Sequence, residues 1–118
     1  MTPFQIAVLG SGSKGNATIM RCASGTVLID AGISCRRIMQ GMKSLGISPE
    51  TLSAVFLTHE HIDHVRGLET FVKNTETPIY ASAGTWQGIR HVLPGLDLRQ
   101  CNSHILKPDA GVLLGGLS

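Results

Sequence analysis

Thr58-His59-Glu60-His61-Ile62-Asp63-His64 follows directly on the apolar run Ala54-Val55-Phe56-Leu57. Between His59 and His64 it carries three imidazoles and the carboxylate of Asp63. An excess of borderline and hard metal ligands at the end of a buried strand points first to a metal site. On extended backbone His59 and His61 project to the same side, because side chains alternate with period two. Asp63 and His64 fall where the chain turns into a helix and bend back toward a second point. One short segment then offers two imidazoles to one metal and an Asp/His pair to another. Two-metal hydrolases need such an arrangement, with ions roughly 3.5–4 Å apart. Glu60 and Ile62 are expected to point away. The helical His-Glu-x-x-His motif is excluded, since the residue four places after His59 is Asp63.

Outward from this stretch, composition narrows the classes. A chain of 118 residues can bury one modest core, and a formal charge of +2 does not by itself announce a nucleic-acid binder. A nuclease that holds its substrate through metals and a local patch is compatible with that charge. No apolar run reaches membrane-spanning length, and the N-terminus lacks the basic region of a secretory signal. Cys22, Cys35 and Cys101 are odd in number and widely spaced. They argue against a disulfide framework and for a reducing compartment, so the expected location is the cytoplasm.

Upstream, Phe4 to Leu9 reads as a buried strand running into Gly10-Ser11-Gly12-Ser13-Lys14-Gly15-Asn16. A tight hairpin turn is the commoner reading of such a run, because its next segment, Ala17 to Cys22, looks like a strand. The alternative is a loop whose N–H groups face an anion, with Ser11, Ser13 and Asn16 as candidate substrate contacts. The P-loop pattern fails, since Lys14 precedes Gly15. Thr26 to Asp30 forms the third strand. Beside a histidine-rich site, Asp30 would accept the spare N–H of a ligand imidazole; taken alone, a strand-end Asp more commonly caps the next turn. Ser34 to Leu45 has the period of a helix, with Ser34 as N-cap and Gly46 as stop. Ser48-Pro49-Glu50 starts one short turn.

Downstream, Val65, Leu68, Phe71 and Val72 recur at helical spacing, with Gly67 weakening the helix slightly while allowing close packing. Pro78 to Ala81 reads as a strand, and a helix starts near Ser82 or Thr85 and runs through His91. His91 and His104 are isolated and are read as surface residues. A further strand is expected at Gly111 to Leu114.

Ser11 to Asn16, Leu28-Ile29-Asp30-Ala31-Gly32 and Leu57 to Gly67 together resemble the opening motifs of the metallo-β-lactamase-fold hydrolases. The glycine-serine loop and Gly84-Thr85-Trp86 are most similar to the YycJ (WalJ)-like branch. The resemblance implies an α/β fold, the N-terminal half of an αβ/βα sandwich, with residues 1–118 as an incomplete portion of one such domain. It maps His59 and His61 onto ligands of the first metal, Asp63 and His64 onto ligands of the second, and Asp30 onto an aspartate supporting the site from behind. The implied cofactors are two divalent ions. Zn2+ leads, but Mn2+ and Fe2+ suit mixed His/Asp ligation as well.

The implied chemistry is attack by a metal-bound hydroxide, which Asp63 also orients, on a phosphodiester. DNA is the implied substrate, with exonuclease action. A thioester or other acyl hydrolase of the same superfamily is the alternative. The family pattern also calls for a further His, Asp and His downstream, which neither His91 nor His104 matches in context. The chain is therefore expected to need the downstream half of its domain, and otherwise to be a non-catalytic chain that binds metal weakly.

Overall fold

In the computed structural model, which describes residues 4–23 and 25–107, the first three apolar runs form an antiparallel meander. β1 (Phe4–Gly10), β2 (Ala17–Cys22) and β3 (Gly25–Ile29) pair in chain order, with Ala7 opposite Ile19 and Ile19 opposite Leu28. From β3 onward the connections are helical and the pairing is parallel. β4 (Leu52–Phe56), β5 (Ile79–Ser82) and β6 (Ser103–Leu106) add one after another, giving a six-stranded sheet in the order β1-β2-β3-β4-β5-β6.

The crossovers contain α1 (Cys35–Ser44), then α2 (Ile62–Val65) with α3 (Leu68–Asn74), and finally α4 (Ala83–Val92). Right-handed crossovers that all advance in one direction place their helices on one face of the sheet. On that face Ile19, Leu28, Val55 and Ile79 lie side by side and pack with Ile38, Met42, Leu68, Phe71 and Ile89 in one buried core. Each such side chain contributes about 1.5–3 kcal/mol by leaving water. The opposite face carries the register row Thr18, Ile29, Phe56 and Tyr80, only half-buried, in which the Phe56 and Tyr80 rings stack at 5.3 Å. The α/β class implied by the resemblance is the one observed.

Local signals act where expected in α1. The Ser34 hydroxyl accepts from the Arg37 N–H at 3.2 Å. The helix stops at Gly46, whose φ of 72° lets its N–H reach the Lys43 carbonyl while the Ile47 N–H returns to Met42. The glycine-serine run is the hairpin between β1 and β2, with positive φ at Gly12 and Gly15.

Beyond shifts of one or two residues at the ends of β4 and β5, the structure departs from the sequence reading in three places. β3 ends at Ile29, one residue early, because Asp30 adopts φ 65° and leaves the strand. The helix expected across Val65 to Val72 is split into α2 and α3 at Gly67. Its N–H turns to the Ala31 carbonyl at 2.7 Å, and a β-carbon there would strike the Ile33 carbonyl, so packing against the neighbouring chain overrides helix continuity. β6 has no counterpart among the strands read from the sequence. Its Ser103 and His104 are exposed and weakly patterned, and the strand is recruited by pairing with β5 and by the Trp86 indole N–H on the His104 carbonyl at 2.8 Å. The strand expected at 111–114 lies outside the described residues. No helix among the described residues is long and apolar enough to cross a membrane.

Candidate functional site

In a sheet with parallel strands, loops at the carboxyl ends are where ligand-binding groups collect. β1, β3 and β4 all end at the same edge, since β1 and β3 are each antiparallel to β2 and β4 is parallel to β3. That edge gathers the Gly10–Asn16 turn, Asp30 and the Thr58–His64 segment.

Asp30 is the hub of these groups and is only 5 % exposed. A buried carboxylate must be paired or hydrogen-bonded, and Asp30 is satisfied three times. Its Oδ1 accepts the Thr58 N–H at 2.8 Å, while its Oδ2 accepts the Thr58 hydroxyl at 2.6 Å and faces His64 Nδ1 at 2.8 Å. The left-handed backbone at Asp30 aims the carboxylate across to the loop after β4, a conformation that Asp tolerates better than most residues. The side chain thus reaches an imidazole of the cluster and also ties down a loop backbone.

Extended backbone after β4 brings the His59 and His61 rings together, stacked at 5.9 Å. His61 then serves as N-cap of α2, so Asp63 and His64 sit in its first turn. His64 folds back against His59, with ring centroids 4.7 Å apart, and its Nε2 faces Asp63 Oδ2 at 3.8 Å. Ile62 is exposed, and Glu60 turns aside to lay its aliphatic stem over Gly88 of α4.

The hairpin turn docks onto the same cluster. Asn16, named from the sequence as a turn residue and candidate substrate contact, instead turns onto the cluster: its backbone N–H and its side-chain amide both donate to the Asp63 carbonyl, at 2.7 and 3.1 Å. The same amide stands 3.4 Å from Asp63 Oδ2 and 3.5 Å from His64 Nε2. Arg66 clips the other side of the turn through the Lys14 carbonyl at 3.2 Å. Gly32 permits this approach, because any β-carbon there would overlap the Asp63 carbonyl. Ser11 and Ser13 remain exposed at the rim. His91, in the last turn of α4, and His104, in β6, are both exposed; His104 Nε2 stands 2.9 Å from Asn102 Oδ1.

The donor set has the chemistry of a divalent-metal site. The His59 ring lies against those of His61 and His64, His64 Nε2 faces Asp63, and the contacts that Thr58 and Asp30 make go to Nδ1 of His59 and His64, leaving Nε2 of each ring free of those two. No three His, Cys, Asp or Glu side chains among the described residues close around a single point. The residues fit a metal in kind, and side-chain rotations would be needed to converge them.

Comparison with known proteins gives a consistent family. Residues 10–99 match the model of the Metallo-beta-lactamase superfamily. The chain is 33% identical over 88 residues to the exodeoxyribonuclease WalJ of Streptococcus pneumoniae serotype 2 (strain D39 / NCTC 7466), covering 75% of this chain and 33% of that protein. It is 31% identical over 97 residues to the exodeoxyribonuclease YycJ of Bacillus anthracis, covering 82% of this chain and 37% of that one. The chain thus spans about a third of the length of these curated relatives. Among solved structures, a B3 metallo-beta-lactamase with an active-site glutamic acid superposes with a TM-score of 0.73 over 93% of this chain and 46% of its own, at 18% identity. At that identity the likeness speaks for the fold alone.

Proposed function

The chain belongs to the metallo-β-lactamase superfamily, and from that premise we propose that it serves metal-dependent phosphodiester hydrolysis, acting on DNA as an exonuclease. The observation that carries the reading is the cluster of His59, His61, Asp63 and His64 at the carboxyl edge of the sheet, held from behind by Asp30. The identity to two exodeoxyribonucleases, over three quarters or more of this chain, supports the choice of substrate.

In this reading His59 and His61 hold one divalent ion, and Asp63 with His64 holds a second. Zn2+ is the first candidate and Mn2+ or Fe2+ the next. When bound, the ions supply Lewis acidity and a water acidic enough to attack at neutral pH. The Asp63 carboxylate would also orient the attacking water. Asp30 fixes the His64 ring by accepting at Nδ1, and Asn16 fixes the backbone that carries Asp63. Ser11 and Ser13, on the exposed rim, border the path of a substrate backbone. Residues 1–118 act as one portion of a single domain. The free thiols Cys22, Cys35 and Cys101 support a cytoplasmic setting.

The test is nucleolysis of end-labelled duplex DNA by the whole protein. Activity should disappear with chelator and return with Zn2+ or Mn2+. Turnover of thioester or lactam substrates with none of DNA would overturn the substrate assignment while leaving the family intact.

A further inference from the structure

Thr58 stands between Asp30 and two imidazoles, and its single hydroxyl proton can go to only one of them. The 2.6 Å contact to Asp30 Oδ2 has the length of a charge-assisted O–H···O bond, and an ionised carboxylate only accepts, so the proton lies on that line. The hydroxyl oxygen then has only lone pairs left for His59 Nδ1, 3.0 Å away. A contact of that length needs a proton, and the imidazole must supply it. His64 Nδ1 faces Asp30 Oδ2 at 2.8 Å, with the Thr58 hydroxyl oxygen at 3.3 Å, and both of these accept. His64 therefore donates from Nδ1 as well.

We propose that Thr58 is a positioning residue which, polarised by Asp30, locks His59 in the Nδ1–H tautomer and so presents its Nε2 lone pair to the site. Asp30 does the same for His64 directly. Neutral imidazole in solution prefers the Nε2–H form, which would direct a proton rather than a lone pair at the neighbouring rings. The Asp30–Thr58–His59 chain reverses that preference at one ring, and one buried carboxylate thereby sets the tautomers of two imidazoles. The backbone bond from the Thr58 N–H to Asp30 Oδ1 at 2.8 Å holds the hydroxyl in place. The value of this arrangement rests on the metal-site reading above, whereas the tautomers themselves do not require a metal.

Long-range 15N–1H correlation spectra of the metal-free protein, recorded at a pH of about 8.5 where ordinary imidazoles are neutral, read each tautomer directly. His59 and His64 are expected as Nδ1–H, with His91 and His104 as reference rings. In Thr58→Val, His59 is expected to revert to Nε2–H while His64 keeps Nδ1–H; Thr58→Ser is expected to restore the wild-type pattern. An Nε2–H His59 in the wild type overturns the proposal, and so does a His59 unchanged in Thr58→Val. The wild-type spectrum decides even if the valine variant fails to fold. A Zn2+ titration of the same samples separates the two readings. Thr58→Val should bind about tenfold more weakly than wild type, as for loss of a group behind a ligand, with Thr58→Ser near normal. Nδ1–H tautomers in a protein that binds no Zn2+ would sink the metal reading and leave the tautomer assignment standing. Zn2+ binding by a protein whose His59 is Nε2–H would do the reverse.

Discussion

The two edges of the parallel strands differ in what they offer. The amino edge holds a hollow of about 880 Å³, lined by Pro49, Glu50, Lys73, Asn74, Glu76 and Gln100 among others. Its charged groups are spread around an open rim. The carboxyl edge has the cluster around Asp30, Thr58, His59 and His64, in which short hydrogen bonds join residues 28 and 34 positions apart. Concavity alone would favour the first edge. Convergent chemistry favours the second, because a site is defined by polar groups whose positions are fixed by other polar groups.

The largest expected effect sets the edges apart directly. His61→Ala or Asp63→Ala should lower hydrolysis by more than about 100-fold, beyond what losing a supporting residue costs, with little change in thermal stability. The pair Glu50→Ala and Glu76→Ala at the amino edge should leave activity within about twofold, since exposed groups away from a site have small effects. Normal turnover and metal content in either site variant would break the comparison.

Asp30→Asn comes next. Asn tolerates the left-handed backbone, so the substitution isolates the loss of the carboxylate. Its amide has a single acceptor oxygen, so it cannot accept both the Thr58 N–H on one side and the Thr58 hydroxyl with His64 on the other, as the two carboxylate oxygens do. Metal affinity should fall by about 10–100-fold, measured by competition with a chromogenic chelator.

Glycine substitutions sharpen the contrast in packing. At Gly32 a β-carbon meets the Asp63 carbonyl, and at Gly84 nothing lies within 4 Å. Gly32→Ala should cost about 1–3 kcal/mol as an overpacked contact, whereas Gly84→Ala, in the first turn of α4, should be neutral or slightly stabilising. Urea midpoints of the two variants decide this.

The smallest effect concerns a buried thiol away from the site. Burial raises the Cys101 pKa from 9.0 to about 11. A raised folded-state value means the neutral thiol stabilises the fold fully below about pH 9. That contribution is lost as pH rises through about 11. Cys101→Ala should flatten this part of the stability profile, read from denaturation midpoints between those pH values.

The Thr58–His64 segment and the strand before it were legible because their signals are local. Alternation brings His59 and His61 to one side, and the apolar run before them marks β4. Ser34 and Gly46 marked the ends of α1 for the same reason, since each acts within a few residues through its own side chain or backbone freedom. Asp30 was legible as a candidate partner of an imidazole but not as the acceptor of Thr58. The hydroxyl carries no pattern of its own, and its partner lies 28 residues away. Gly88 illustrates the same limit, being an ordinary helix position until Glu60 is laid across it.

By itself the sequence determined which metal-type donors fall close together and where most of the strands and helices lie, because spacing, capping and turn chemistry operate over a few residues. Only the tertiary structure decided that Asn16 grips the Asp63 backbone, that Gly67 divides a helix to meet Ala31, and that β6 closes the described sheet beside β5. Those outcomes depend on which distant groups must be satisfied once the core is packed. A buried N–H or carboxylate takes the partner that the fold brings to it, and no local pattern names that partner in advance.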